Sequence, residues 1–126
     1  MIIHIAKDGS CFFRCVACFL NQDLLRSRRA NNGRLTNRNL REKENNISKF
    51  LRNSVVNLIE FEKDKYIQEI FYDGEIYDNI DDRIENMYNT NEWVGRLEIE
   101  TLSNMFRIKF NIFILENNEN DENYIF

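Results

Sequence analysis

The sequence has no proline, only 4 glycines and a single histidine in 126 residues. The missing proline, together with abundant asparagine, points to a nucleotide bias in the gene and identifies no function. Apolar runs long enough to cross a bilayer are also missing, which excludes a membrane-spanning helix. There is no apolar leader, and three cysteines are an odd number, so the expected setting is a reducing compartment, the cytoplasm, without a disulfide framework. Positive charge is not in excess either: 17 Lys and Arg against 21 Asp and Glu give a net charge of -4. That balance argues against a general nucleic-acid binder and leaves room only for a local basic patch.

What is present suits one compact unit. A hydrophobic share of 43% in 126 residues can bury about two-thirds of the unfolded chain's surface around one core, so a single domain over 1–126 is expected. Met1 to Ala6 reads as a lead-in strand or extended arm. Phe12 to Leu20 reads as a buried helix, with Cys11, Cys15 and Cys18 on one face. Asn21 to Asn46 lacks apolar periodicity and carries Arg26, Arg28, Arg29, Arg34, Arg38 and Arg41. It reads as a solvated loop or weak helix, or else as a contact patch for an acidic partner or a phosphate backbone. Ile47 to Phe61 is a helix whose stripe includes Phe50 and whose N-cap is Asn46. Helical character continues over Asp64 to Phe71, before a turn at Tyr72, Asp73 and Gly74. Ile80, Ile84, Met87 and Tyr88 mark a further helix, opened by Asp78 or Asn79. A helix from Trp93 to about Phe106 precedes a strand over Ile108 to Leu115, apolar enough to be covered on both faces. The acidic tail ends in a second strand from Asn123.

The chemistry concentrates in Asp8-Gly9-Ser10-Cys11-Phe12-Phe13-Arg14. Gly9 permits a positive φ or a close backbone approach, while Asp8 and Ser10 have short side chains that bond nearby N–H groups. Cys11 then stands at a helix N-terminus, where unpaired amides and the macrodipole favour the thiolate. The backbone amides of Gly9, Ser10 and Cys11 could receive an oxyanion formed on an attacked carbonyl.

These seven residues resemble the nucleophile motif of ovarian-tumour (OTU) cysteine proteases, D-G-N-C-L-F-R, with Ser10 for Asn and Phe12 for Leu. A second segment, Trp93-Val94-Gly95-Arg96-Leu97-Glu98-Ile99-Glu100-Thr101-Leu102-Ser103, resembles the family's W-G-x-x-x-E-[LI]-x-A-L-[AS]. Here Val94 stands for the first glycine and Thr101 for the alanine. The resemblance implies an α+β papain-like OTU fold, with helices on a small sheet and incomplete C-terminal strands. It also implies thiol-dependent hydrolysis of ubiquitin or ubiquitin-like isopeptide linkages, a deubiquitinase activity without cofactor or metal. Cys11 would be the nucleophile and Asp8 a turn residue of the site, with Arg14, Trp93, Gly95 and Glu98 as structural positions. Trp93 is expected as a large buried ring.

The family pattern also implies a general-base histidine on a late strand, and no histidine follows His4. A truncated, impaired enzyme is therefore expected, with His4 read as a structural histidine. The alternative is a non-catalytic ubiquitin-binding pseudoenzyme or remnant. A remote alternative places an iron–sulfur or other metal site at Cys11, Cys15 and Cys18, but small apolar cysteines facing a core account better for Cys15 and Cys18.

Overall fold

A computed structural model describes residues 8–66, 79–114 and 122–125, the last strand residues, 113, 114 and 122–125, by backbone alone. In chain order the elements are α1 (Cys11–Leu20), α2 (Gln22–Ala30), α3 (Arg38–Phe61), α4 (Ile80–Met87), α5 (Arg96–Phe106), β1 (Asn111–Ile114) and β2 (Glu122–Ile125). The strands form an antiparallel pair, with Asn111 opposite Ile125 and Ile114 opposite Glu122. The described residues are thus mostly helical with little strand, which meets the expected α+β class only in part. The expectations for His4, for the arm over Met1 to Ala6 and for the turn at Tyr72 to Gly74 lie outside the described residues, as does most of the helical stretch from Asp64. No described helix is long and apolar enough to cross a membrane.

Asparagine does much of the punctuation. Asn21 ends α1 and caps α2, its side chain accepting from the N–H groups of Asp23 and Leu24 at 3.1 and 3.2 Å. Asn37 caps α3 in the same way, and Asn79 caps α4 through the Asp82 N–H. A short polar acceptor at each N-cap satisfies donors that the first helical turn leaves orphaned.

The core is built from one face of each helix. Phe13, Val16 and Ala17 from α1 meet Leu51, Val55, Val56 and Ile59 from α3, and α4 and α5 add Ile84, Met87, Leu97 and Leu102. A smaller cluster joins Cys18, Leu24 and Leu35 beneath α2. Leu51, Val55 and Ile59, spaced by four, set the inward face of α3, and Phe50, a single residue out of phase, is left 66% exposed. Its place in the predicted stripe is corrected accordingly.

Two further readings change. Of the loop and weak-helix readings of Asn21 to Asn46 the helical one holds outside a short turn: α2 fills its first half and α3 begins at Arg38, so Asn46 lies within a helix and Asn37 is the cap. What orders this polar stretch is a buried ion pair. Arg28 Nε and Nη2 donate to the Glu44 carboxylate at 2.9 and 2.6 Å, and its Nη1 donates to the Gly33 carbonyl. Arg28 and Glu44 are both buried, and the turn between the helices needs the left-handed φ of 88° at Gly33. Likewise α5 starts at Arg96, not Trp93, and leaves Trp93 58% exposed. The tryptophan precedes the helix instead of riding its inward face, so the buried ring is not found.

Breaking a buried ion pair strands a charge in low dielectric and costs roughly 3–5 kcal/mol. Glu44→Ala should therefore lower unfolding free energy by about that amount, whereas Glu42→Ala, at an exposed pair with Arg38, should cost under about 0.5 kcal/mol. Urea titration followed by circular dichroism compares the two.

Candidate functional site

The site begins with a turn that closes on its own aspartate. Asp8 Oδ1 accepts from the Ser10 N–H at 2.9 Å, and the Asp8 carbonyl accepts from the Cys11 N–H at 3.1 Å. The other carboxylate oxygen meets Arg14 Nη2 at 3.1 Å, one helical turn on. Ser10 is the N-cap of α1, yet its side chain makes no cap bond. Its hydroxyl donates instead to the Thr90 carbonyl at 2.7 Å.

Gly9 seats this turn against the segment 90–92. A Cβ at Gly9 would lie 2.2 Å from the carbonyl carbon and oxygen of Asn91 and 2.7 Å from the Glu92 nitrogen. Close backbone approach, not a positive φ, is what the glycine supplies. From below, the buried Arg52 of α3 fastens both sides: Nη2 donates to the carbonyls of Gly9 and Glu92 at 2.7 and 2.9 Å, and Nη1 to that of Met87 at 3.0 Å. Its guanidinium lies 4.8 Å from the centroid of the Phe13 ring. Burial pulls the Arg52 pKa down, and the charges of Glu98, Glu92 and Asp8 pull it back up.

Cys11 occupies the first position of α1 and is half-buried. Its thiol pKa is pushed above the ordinary 9.0, first by burial and then by the Asp8 charge; the Phe12 and Cys11 amides and Arg14 act the other way without prevailing. The helix terminus thus contributes as expected, but desolvation of the sulfur outweighs it. Of the three amides assigned to an oxyanion hole, those of Ser10 and Cys11 already end on Asp8, so an incoming oxyanion must compete with that residue. The sole histidine, His4, is outside the described residues, and no imidazole stands beside Cys11 among them.

The remaining cysteines part company. Cys18 is buried and Cys15 is exposed, so the expected core role fits only Cys18. Among the described residues no group of three or more His, Cys, Asp or Glu side chains is gathered to hold a metal. In the second motif, Gly95 is the N-cap of α5, and the buried Glu98 reaches back to accept from the Gly95 N–H. Its role is a helix start beneath the site. Arg52 is the residue that sequence reasoning missed. Its signal was a charge in phase with Val55, Val56 and Ile59, where a surface position would not fall.

Compared with known proteins, the chain matches the family model described as OTU-like cysteine protease over residues 6–125. No curated protein and no solved structure matches it.

Two measurements follow from this geometry. Gly9→Ala forces the 91–92 backbone to move and should destabilise the fold by about 1–3 kcal/mol, as overpacking does, read as a drop in the urea midpoint. A thiol with a pKa above 9.0 is less than about 1% thiolate at pH 7. Alkylation of Cys11 by iodoacetamide, followed by peptide mass mapping, should then rise about tenfold from pH 7 to 8 and still be rising at pH 9.

Proposed function

Because the chain belongs to the OTU-like cysteine protease family, we propose that it acts on ubiquitin or ubiquitin-like isopeptide linkages through Cys11. The sulfur attacks the carbonyl of the modifier's C-terminal glycine, a thioester forms as the lysine amine leaves with a proton, and water then releases the modifier. The observation that carries this reading is the half-buried thiol on the first residue of α1, on a turn clipped by Asp8 and seated against residues 90–92. Asp8 orders that turn and is not the base. The Gly9, Ser10 and Cys11 amides form the oxyanion hole once the bonds to Asp8 are exchanged for the substrate oxygen. Arg14, Gly95 and Glu98 support the frame, and a papain-like α+β arrangement over a single domain is the fold proposed for the whole chain. Three unbridged cysteines suit a reducing cytoplasm.

Turnover is impaired in this reading. The thiol rests protonated, and His4, the one histidine, is assigned a structural role, so nothing removes the proton efficiently or returns it to the leaving amine. Loss of a triad member leaves only what the oxyanion hole and substrate binding supply. A protonated nucleophile equally favours a second reading, a domain that holds the modifier without cleaving it.

Ubiquitin bearing a C-terminal electrophile should form one adduct, on Cys11, that is lost in Cys11→Ala and kept in Cys15→Ala. Cleavage of a fluorogenic ubiquitin amide should run on the order of a thousandfold or more below a complete triad enzyme, unchanged in His4→Ala. Ubiquitin binding to Cys11→Ala without any adduct on the wild type supports the binding module instead. Brisk turnover that vanishes in His4→Ala overturns the assignment of that histidine.

A further inference from the structure

The fold sorts the six arginines between Arg26 and Arg41 into two groups. Arg28 is buried against Glu44, and Arg38 pairs with Glu42 at 3.3 Å along α3. Arg26, Arg29, Arg34 and Arg41 are exposed and have no ion pair among the described residues. The segment has no acid left to offer them. Its three acidic residues are committed: Glu44 to Arg28, Glu42 to Arg38, and Asp23 to Lys43 at 3.9 Å.

The charge of the chain is correspondingly divided. Residues 21–46 hold seven Lys and Arg against three Asp and Glu, a net +4, so within a total of -4 the remainder carries -8. This basic corner is rigidly framed, because the Arg28 fork on Glu44 and its bond to the Gly33 carbonyl fix α2, the turn and α3 together. Beside it lies an open cleft of about 510 Å³, lined by Asp23, Arg26, Ser27, Asn31, Asn37 and Asn39 among others, with Arg26 the one of the four arginines on its wall and Asp23 facing Lys43.

We propose that the α2–α3 corner is a docking surface for a short acidic segment of a partner protein, its carboxylates pairing with Arg26, Arg29, Arg34 and Arg41. Guanidinium forks bind carboxylate and phosphate alike, and the surroundings decide between them. A nucleic acid extends well beyond four cations, and outside the corner the residues with described side chains carry nine Lys and Arg against ten Asp and Glu, no positive excess to continue it. The corner's own stretch, residues 21–46, also contains no aromatic residue on which bases could stack. A few carboxylates in one extended peptide match the charge and stop where the basic corner stops. This docking is independent of the chemistry at Cys11.

Fluorescence anisotropy of the full chain with a labelled peptide of alternating Glu and Ser, at low and at physiological salt, tests it. Binding should weaken with salt. Replacing all four arginines by glutamine (Arg26→Gln, Arg29→Gln, Arg34→Gln, Arg41→Gln) should reduce affinity on the order of tenfold or more. Arg34→Gln alone should give a smaller loss in the same direction. Lys49→Gln with Lys109→Gln, exposed cations away from the corner, should leave affinity unchanged, as should Cys11→Ala. The proposal is overturned if the fourfold variant, folded by circular dichroism, binds the peptide as the wild type does. It is equally overturned if a DNA duplex binds the corner more tightly than the peptide.

Discussion

One buried guanidinium holds the two ends of this site together. Arg52 is 2% exposed and among the described residues has no carboxylate bonded to it; its charge is met by three main-chain carbonyls from residues 9, 87 and 92 and by the face of Phe13. Two of those carbonyls sit on one nitrogen, so the turn before Cys11 and the segment before Trp93 are bound to the same point. A buried donor left unmade costs roughly 1–3 kcal/mol, and Arg52 Nε has no partner among the described residues. That cost is tolerated because the arginine is placed for its terminal nitrogens. A lysine could not reproduce the arrangement, since its single ammonium cannot present donors from two separate nitrogens in a plane.

The thiol inherits the consequences. Fixing the turn requires Asp8 to accept two main-chain N–H bonds, and that brings its carboxylate within electrostatic range of the sulfur it positions. Rigidity and nucleophile acidity therefore oppose each other: the same carboxylate that orders the turn raises the thiol pKa, and Arg14, paired with it, acts in the opposite sense. Helix-terminal amides alone do not overcome desolvation plus a nearby anion. A cysteine so placed opens a helix, yet its surroundings favour the thiol over the thiolate.

How much of this was legible depended on whether the signal was local. The turn before Cys11, the helix after it and the helix over Ile80 to Met87 were readable, because caps and apolar spacing lie within a few residues of one another. The two helices over residues 22–46 were not, because the contact that stabilises them pairs Arg28 with Glu44 across 16 positions. A sequence reading counts both as solvated charge. Trp93 failed for a related reason: its type suggested burial, but Gly95 and Glu98 start the helix three residues too late to turn the ring inward. Arg52 violated the expectation for its type and so passed unnoticed, although its phase among Val55, Val56 and Ile59 was visible.

The two segments that carry the family likeness are about eighty residues apart in sequence, and the fold explains why they travel together. Gly9 can lack a side chain only usefully if the 91–92 backbone lies against it, and that backbone is placed by the Arg52 bond to Glu92 and by the start of α5 at Gly95 and Glu98. Ser10 adds the reciprocal bond to Thr90. The first motif is therefore a surface and its seat is the stretch 90–92 that leads into the second, the two joined by an arginine that belongs to neither. A change at 90–92 therefore reaches the turn before Cys11 directly, although some eighty residues separate them along the chain.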